Sequence, residues 1–184
     1  MSPPMLLLLM LDVWDDTMRG RTVVQKCAYF LSHLTGQELG FRPHYYGPFS
    51  ALVERHVSDL CGLGFLEERV TRVSGGTGSV STRLRYDYIV TEDGATVAKS
   101  LYDDSKEVRA VQEAAQRIKS AGGHLRADPL SVAAKTHFIL SSDEGPMAAC
   151  DVVEHARKLR WNIEEDDVSE AAKFLETLDL VERV

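Results

Sequence analysis

Phe65-Leu66-Glu67-Glu68-Arg69-Val70-Thr71-Arg72-Val73, then Ser74-Gly75-Gly76-Thr77-Gly78-Ser79, then Leu84-Arg85-Tyr86-Asp87-Tyr88-Ile89-Val90 is the stretch where the hydrophobic period changes from helical to alternating. Leu84, Tyr86, Tyr88 and Val90 alternate with Arg83, Arg85 and Asp87, the two-residue period of a strand with one buried face and one wet face. Two extended runs joined by a glycine-rich loop make a β-hairpin. The hairpin decides the fold, because every long segment around it reads as helix.

Upstream, residues 5–17 read as a first helix that is apolar around most of its circumference, stopped by Arg19-Gly20. A second helix starts at Arg21 or Thr22, with Val23, Val24, Cys27, Phe30, Leu31 and Leu34 recurring at three- and four-residue intervals until Gly36. Pro43 and Gly47-Pro48 keep the next segment irregular. Pro48 suits the first turn of a third helix, where its missing N–H costs nothing, and Leu52, Val53, His56, Val57, Leu60 and Leu63 form that helix's stripe. After the hairpin, Thr91 caps a fourth helix running to Leu101, with Glu92 and Asp93 in its first turn. Three helices, a two-stranded wing and another helix follow the order of a winged-helix domain. Helices over 105–121, 129–140, 147–159 and 164–178 follow. The expectation is a mainly α protein with a small β-hairpin: a winged-helix-like N-terminal domain, residues 1–102, and a C-terminal helical domain, residues 103–184.

At 184 residues and 44% hydrophobic content, the chain can bury one good core or two small ones that share an interface. Its three cysteines, Cys27, Cys61 and Cys150, are odd in number, widely spaced and set in apolar helical patterns, which reads as reduced thiols and a cytoplasmic location. The run Met5–Leu11 lacks a basic segment before it and meets Asp12, Asp15 and Asp16 straight after. It is also far short of the ~20 apolar residues that span a bilayer, so it reads as a buried helix and no membrane is expected. The net charge of −7 is unevenly spread: residues 1–100 hold ten Lys/Arg against eleven Asp/Glu, and residues 101–184 eleven against seventeen. The excess acid is mostly C-terminal.

Gly20-Arg21-Thr22 leading into Gln25-Lys26 and Tyr29-Phe30-Leu31, then Tyr45-Tyr46-Gly47-Pro48-Phe49-Ser50 and the exit Gly62-Leu63-Gly64-Phe65-Leu66, resembles two related groups. They are the YwgA-like bacterial and archaeal proteins and the SocA-like Panacea-domain antitoxins. The likeness covers roughly the first hundred residues, and the tail from Leu159-Arg160-Trp161-Asn162-Ile163 to Leu178-Asp179-Leu180 looks YwgA-like as well. The resemblance implies a non-enzymatic interaction module whose partner is another protein, a toxin in the antitoxin-like case. Gln25, Lys26, Tyr45, Tyr46, Gly47, Pro48 and Ser50 are the motif positions it carries over, without assigning a role to any.

Catalytic and cofactor chemistry find little support. Closed zinc sites carry close Cys or His pairs, whereas His44, His56, Cys61 and Cys27 are scattered, and Cys150 and His155 are misaligned on a helix. No metal, cofactor or catalytic residue is expected. Glu164-Glu165-Asp166-Asp167 reads as the acidic start of the last helix. Gly75-Gly76-Thr77-Gly78 lacks the Lys-Ser/Thr of a phosphate-binding loop and joins two strands, so it reads as a wing tip. Two binding modes remain. Tyr45, Tyr46 and Phe49 cluster beside Pro43 and Pro48 as a partner-binding surface, since tyrosine contributes rigid contact area with a polar tip, although the same cluster is equally able to fill the groove between the second and third helices. Alternatively the protein is a DNA-binding transcriptional regulator, touching phosphates through Arg69, Arg72, Arg83 and Arg85 on the wing and Arg42 ahead of the third helix. That third helix carries Glu54 and Asp59 against Arg55, and an acidic C-terminal half opposes non-specific attraction to phosphate.

Overall fold

The computed structural model describes residues 1–14, 17–74, 82–102, 105–123, 127–142 and 145–181. The chain is mainly helical with a small three-stranded antiparallel sheet, in the order α1 (Pro3–Asp12), β1 (Met18–Arg19), α2 (Arg21–Thr35), α3 (Ala51–Gly62), β2 (Leu66–Ser74), β3 (Thr82–Val90), α4 (Glu92–Ser100), α5 (Lys106–Ile118), α6 (Ala127–Leu140), α7 (Ala149–Lys158) and α8 (Glu165–Thr177). A short π-helical turn, Lys119–Gly123, closes α5. The sheet order is β1-β3-β2, with Leu66 opposite Val90 at the base of the hairpin and Ser74 opposite Thr82 at its outer end. The expected glycine-rich wing tip at Gly75–Gly78, like Asp15 and Asp16, lies outside the described residues.

Every residue from Leu6 to Leu11 is buried, as its all-round apolarity requires. The second helix goes further than its apolar stripe implies, since Val23 through Ser32 are all buried, Gln25 and Lys26 among them. The cause is position: α2 packs against α1, α3, α5, α6 and two strands, which leaves its middle no wet side. The main core runs across residue 102, joining Leu6–Leu11 and Val23–Leu31 to Val111, Ala115, Ile118, Leu130, Ala134 and Leu175. A satellite core of Ile139, Val152, Val153, Ala156, Trp161, Ile163 and Val168 holds α6, α7 and α8 together.

Four details depart from the sequence reading. The first helix ends at Asp12, not near Thr17, because Met18 and Arg19 leave it to pair with Tyr88 and Asp87 as the edge strand β1. The third helix begins at Ala51, with Ser50 as its cap accepting from Val53 N at 3.0 Å; Pro48 stays outside because Phe49 is still extended, exchanging backbone hydrogen bonds of 2.9 Å with Arg42. The hairpin buries one face only near its base. Tyr88 is buried, whereas Leu84 is 54% exposed, because strands of nine residues reach beyond the helices that support them. Leu63, read as part of the stripe of α3, is its exposed C-cap.

The fourth helix follows expectation, with the Thr91 side chain accepting from Gly94 N and donating to Gly64 O at 2.7 Å, which ties its start to the hairpin's base. Within α6, the hydroxyl of fully buried Thr136 has no hydrogen-bond partner among the described residues. Burying an unmatched hydroxyl costs about 1–3 kcal/mol. Thr136→Val keeps the shape and removes that cost, so it is expected to raise the melting temperature by at least about 2 °C in a thermal scan; a fall would mean the hydroxyl is matched.

Candidate functional site

The structure gathers the scattered positions 25, 26, 44–50, 135 and 161 around one tight turn. His44 to Gly47 form the turn, closed by Gly47 N donating to His44 O at 2.9 Å, and Gly47 takes φ +94°, a left-handed conformation that suits glycine. Below it, Arg42 and Phe49 form an isolated antiparallel bridge, so the segment is a miniature hairpin.

Buried side chains then hold this hairpin by its backbone. Gln25 makes a reciprocal pair with Ser50, its Nε2 donating to Ser50 O at 2.9 Å and its Oε1 accepting from Ser50 N at 3.0 Å. Lys26, only 2% exposed, donates from Nζ to Pro48 O at 2.7 Å. Ser50 Oγ donates to Leu39 O. From the connection between α7 and α8, Trp161 Nε1 donates to His44 O at 2.6 Å. Burial, and secondarily the neighbouring Lys135, lowers the Lys26 pKa to about 7, so the ammonium is held by a carbonyl at the cost of part of its charge.

On this pedestal the turn lifts Tyr45 and Tyr46 into solvent, 72% and 63% exposed, with their rings edge to face at 4.8 Å between centroids. Phe49 is half-buried beneath, stacked on His44 at 5.1 Å. The two tyrosines therefore do not fill the groove between α2 and α3. A Cβ at Gly47 would stand 3.0 Å from Lys135 Cγ and 3.4 Å from Lys26 Nζ. Gly47→Ala is expected to destabilise the chain by roughly 1–3 kcal/mol through strain and crowding, measured by urea unfolding; an unchanged midpoint would show that the turn is not held in this conformation.

The arginines on the hairpin are placed differently. Register puts Arg69 and Arg85 on one face and Arg72 on the other. Arg69 is bonded to Glu67 through Nε and Nη2, both at 2.8 Å, and Arg85 to Asp87 in the same way at 2.7 and 2.8 Å. The hydrogen bond from Arg85 holds the Asp87 carboxyl below its ordinary pKa, with Thr71 also donating to it. Arg72 is exposed, and the Arg83 side chain lies outside the described residues. Arg42 belongs to the tyrosine hairpin through its bridge to Phe49. Between α3 and the hairpin lies a groove of about 510 Å³ lined by both signs of charge, including Arg21, Glu54, Arg55, Asp59 and Glu68. There Arg21 stacks on the Tyr86 ring at 3.7 Å and donates to the Tyr88 hydroxyl, which donates in turn to Glu68.

Sequence reading did not anticipate a second polar node in the core. Tyr29 OH bonds His137 Nδ1 at 2.8 Å, and His33 stacks edge-on against both rings. Burial, with His33 as a further cause, lowers the His137 pKa to about 4, which keeps the ring neutral near pH 7. Burial raises the Tyr29 and Cys27 pKa values. His56, its side chain largely buried, pairs with exposed Asp59 at 3.3 Å on α3. Among the described residues, no group of three or more His, Cys, Asp or Glu is placed to hold a metal ion, and no helix is long and apolar enough to cross a membrane.

Comparison of the chain with protein-family models and with curated proteins finds no match.

Proposed function

We propose that this is a non-enzymatic binding or regulatory protein that acts through protein–protein contacts, with Tyr45 and Tyr46 as its contact residues and Phe49 as their support. The observation that carries the reading is the pairing of an exposed aromatic pair with a backbone anchored by four buried side chains, Gln25, Lys26, Ser50 and Trp161. A turn held this firmly loses little entropy on docking, and two tyrosines supply large contact area from few rotatable bonds. Gln25, Lys26, Tyr45, Tyr46, Gly47, Pro48 and Ser50, the motif positions on which the resemblance to the YwgA-like and Panacea-domain proteins rests, all meet at this turn, in keeping with an antitoxin-like partner-binding role.

The architecture proposed for residues 1–102 is a winged helix. Its support is the order α1-β1-α2-α3-β2-β3 and the placing of β1 against β3, which leaves β2 and β3 as the wing. That order also favours the second reading, a DNA-binding transcriptional regulator using Arg42, Arg69, Arg72, Arg83 and Arg85. Against it stand the carboxylates already bonded to Arg69 and Arg85, which leave less positive charge for phosphates.

Affinity purification of the full chain from its native cells separates the two. A specific protein recovered with the wild type and with Arg83→Ala/Arg85→Ala, but lost with Tyr45→Ala/Tyr46→Ala, is the expected result. Retention on duplex DNA at about 50 mM salt that falls steeply with added salt and with Arg83→Ala/Arg85→Ala would overturn it in favour of DNA.

A further inference from the structure

The chain carries a net charge of −7, yet three cations, Arg42, Lys135 and Arg160, lie near the tyrosine turn, with the acidic run Glu164–Asp167 beginning four residues beyond Arg160. Arg42 forms the bridge at its base and is exposed. Lys135, half-buried on α6, approaches Gly47 from one side, and Lys26 lies beneath. Arg160, exposed and in the left-handed region at φ +59°, immediately precedes Trp161, whose indole holds His44 O. Neither Arg42, Lys135 nor Arg160 forms an ion pair with a described carboxylate; Asp167 and Asp128 act on Lys135 only from beyond contact distance. The contrast with Arg69 and Arg85 is direct, because those two are already bonded to carboxylates of this chain.

We propose that the partner presents an acidic, extended peptide segment to the turn, its carboxylates set against Arg42, Lys135 and Arg160 and its chain laid across Tyr45 and Tyr46. This rests on the reading of the turn as an interaction surface. Two arginines whose guanidinium forks meet no described carboxylate can match carboxylates in bidentate geometry, and complementary charge sets partner choice and encounter rate. A nucleic acid fits less well. The tyrosine rings stand edge to face at 87°, so they do not form a parallel sandwich for a base, and the net charge of −7 opposes attraction to phosphate.

The test uses the full chain and fluorescence anisotropy at about 50 mM salt, with a labelled acidic peptide of about twelve residues built from Glu-Ala-Asp-Leu repeats. Its Lys-substituted counterpart and a single-stranded oligothymidylate of about the same length serve as rivals. The acidic peptide is expected to bind at least about tenfold more tightly than either rival, and Arg42→Glu/Arg160→Glu to weaken it by at least about tenfold. Equal or tighter binding of the Lys peptide or the oligonucleotide, no binding of the acidic peptide, or indifference to Arg42→Glu/Arg160→Glu would overturn the inference. Far-UV circular dichroism matching the wild type shows that the exposed substitutions leave the fold intact. The same variants, measured against the protein partner recovered by affinity purification, keep the two claims apart. Loss with Tyr45→Ala/Tyr46→Ala but not with Arg42→Glu/Arg160→Glu sinks the acidic segment alone, and loss with neither sinks the turn as well.

Discussion

Tyr45→Ala/Tyr46→Ala is expected to weaken the complex with the protein partner by at least about a hundredfold while leaving the unfolding midpoint within about 0.5 kcal/mol of the wild type. Both parts follow from placement. The rings are largely exposed and pack edge to face on each other, so removing them takes little from the folded chain. What positions them is backbone: the reciprocal Gln25–Ser50 pair, the Lys26 contact to Pro48 and the Trp161 contact to His44 all end on main-chain atoms that the double substitution leaves in place. Calorimetric titration of the purified pair reads the first part and urea unfolding the second. A loss of affinity accompanied by an equal loss of stability would mean that the tyrosines are structural.

Acidification is expected to unfold the protein through His137. The ordinary imidazole pKa of 6.5 is lowered to about 4 in the folded chain, so between those values the unfolded state binds more protons than the folded one. Stability is therefore fully present above about pH 6.5 and is lost as the pH falls toward 4, by on the order of 3 kcal/mol from this group. His33, whose pKa burial also lowers, acts in the same direction. Lys26 extends the trend upward. Its folded pKa of about 7 lies below the ordinary 10.5, so stability continues to rise with pH from about 7. Unfolding midpoints across pH 4–7 check this, with His137→Gln flattening the slope; a slope unchanged in that variant would place the acid sensitivity elsewhere.

How much was legible in the sequence differs by element for physical reasons. The boundaries of α2 and α4 were readable because Gly36 and Thr91 are local stop and start signals whose chemistry acts within one turn. The edge strand β1 was not, since Met18 and Arg19 are too few to show a period and pair only because β3, about seventy residues away, presents an open edge. The tyrosine pair could be singled out from composition, but its exposure could not, because aromatic residues beside prolines serve a groove or a surface equally well. Gln25 and Lys26 look in sequence like the polar side of a helix. They are buried because the backbone of a distant turn needs donors and acceptors there, a demand that no helical periodicity records. The Tyr29–His137 node spans more than a hundred residues and was invisible for the same reason.

The central claim is that the turn at His44–Gly47 is a rigid surface on which another protein docks. Hydrogen exchange of the full chain, alone and with the protein recovered by affinity purification, tests it most directly. The prediction is slow exchange at Phe49 and Ser50 in the free chain and further protection confined to residues 42–50 and 160–162 in the complex. Fast exchange of residues 42–50 in the free chain, or protection in the complex that falls on Thr82–Val90 instead, would contradict it.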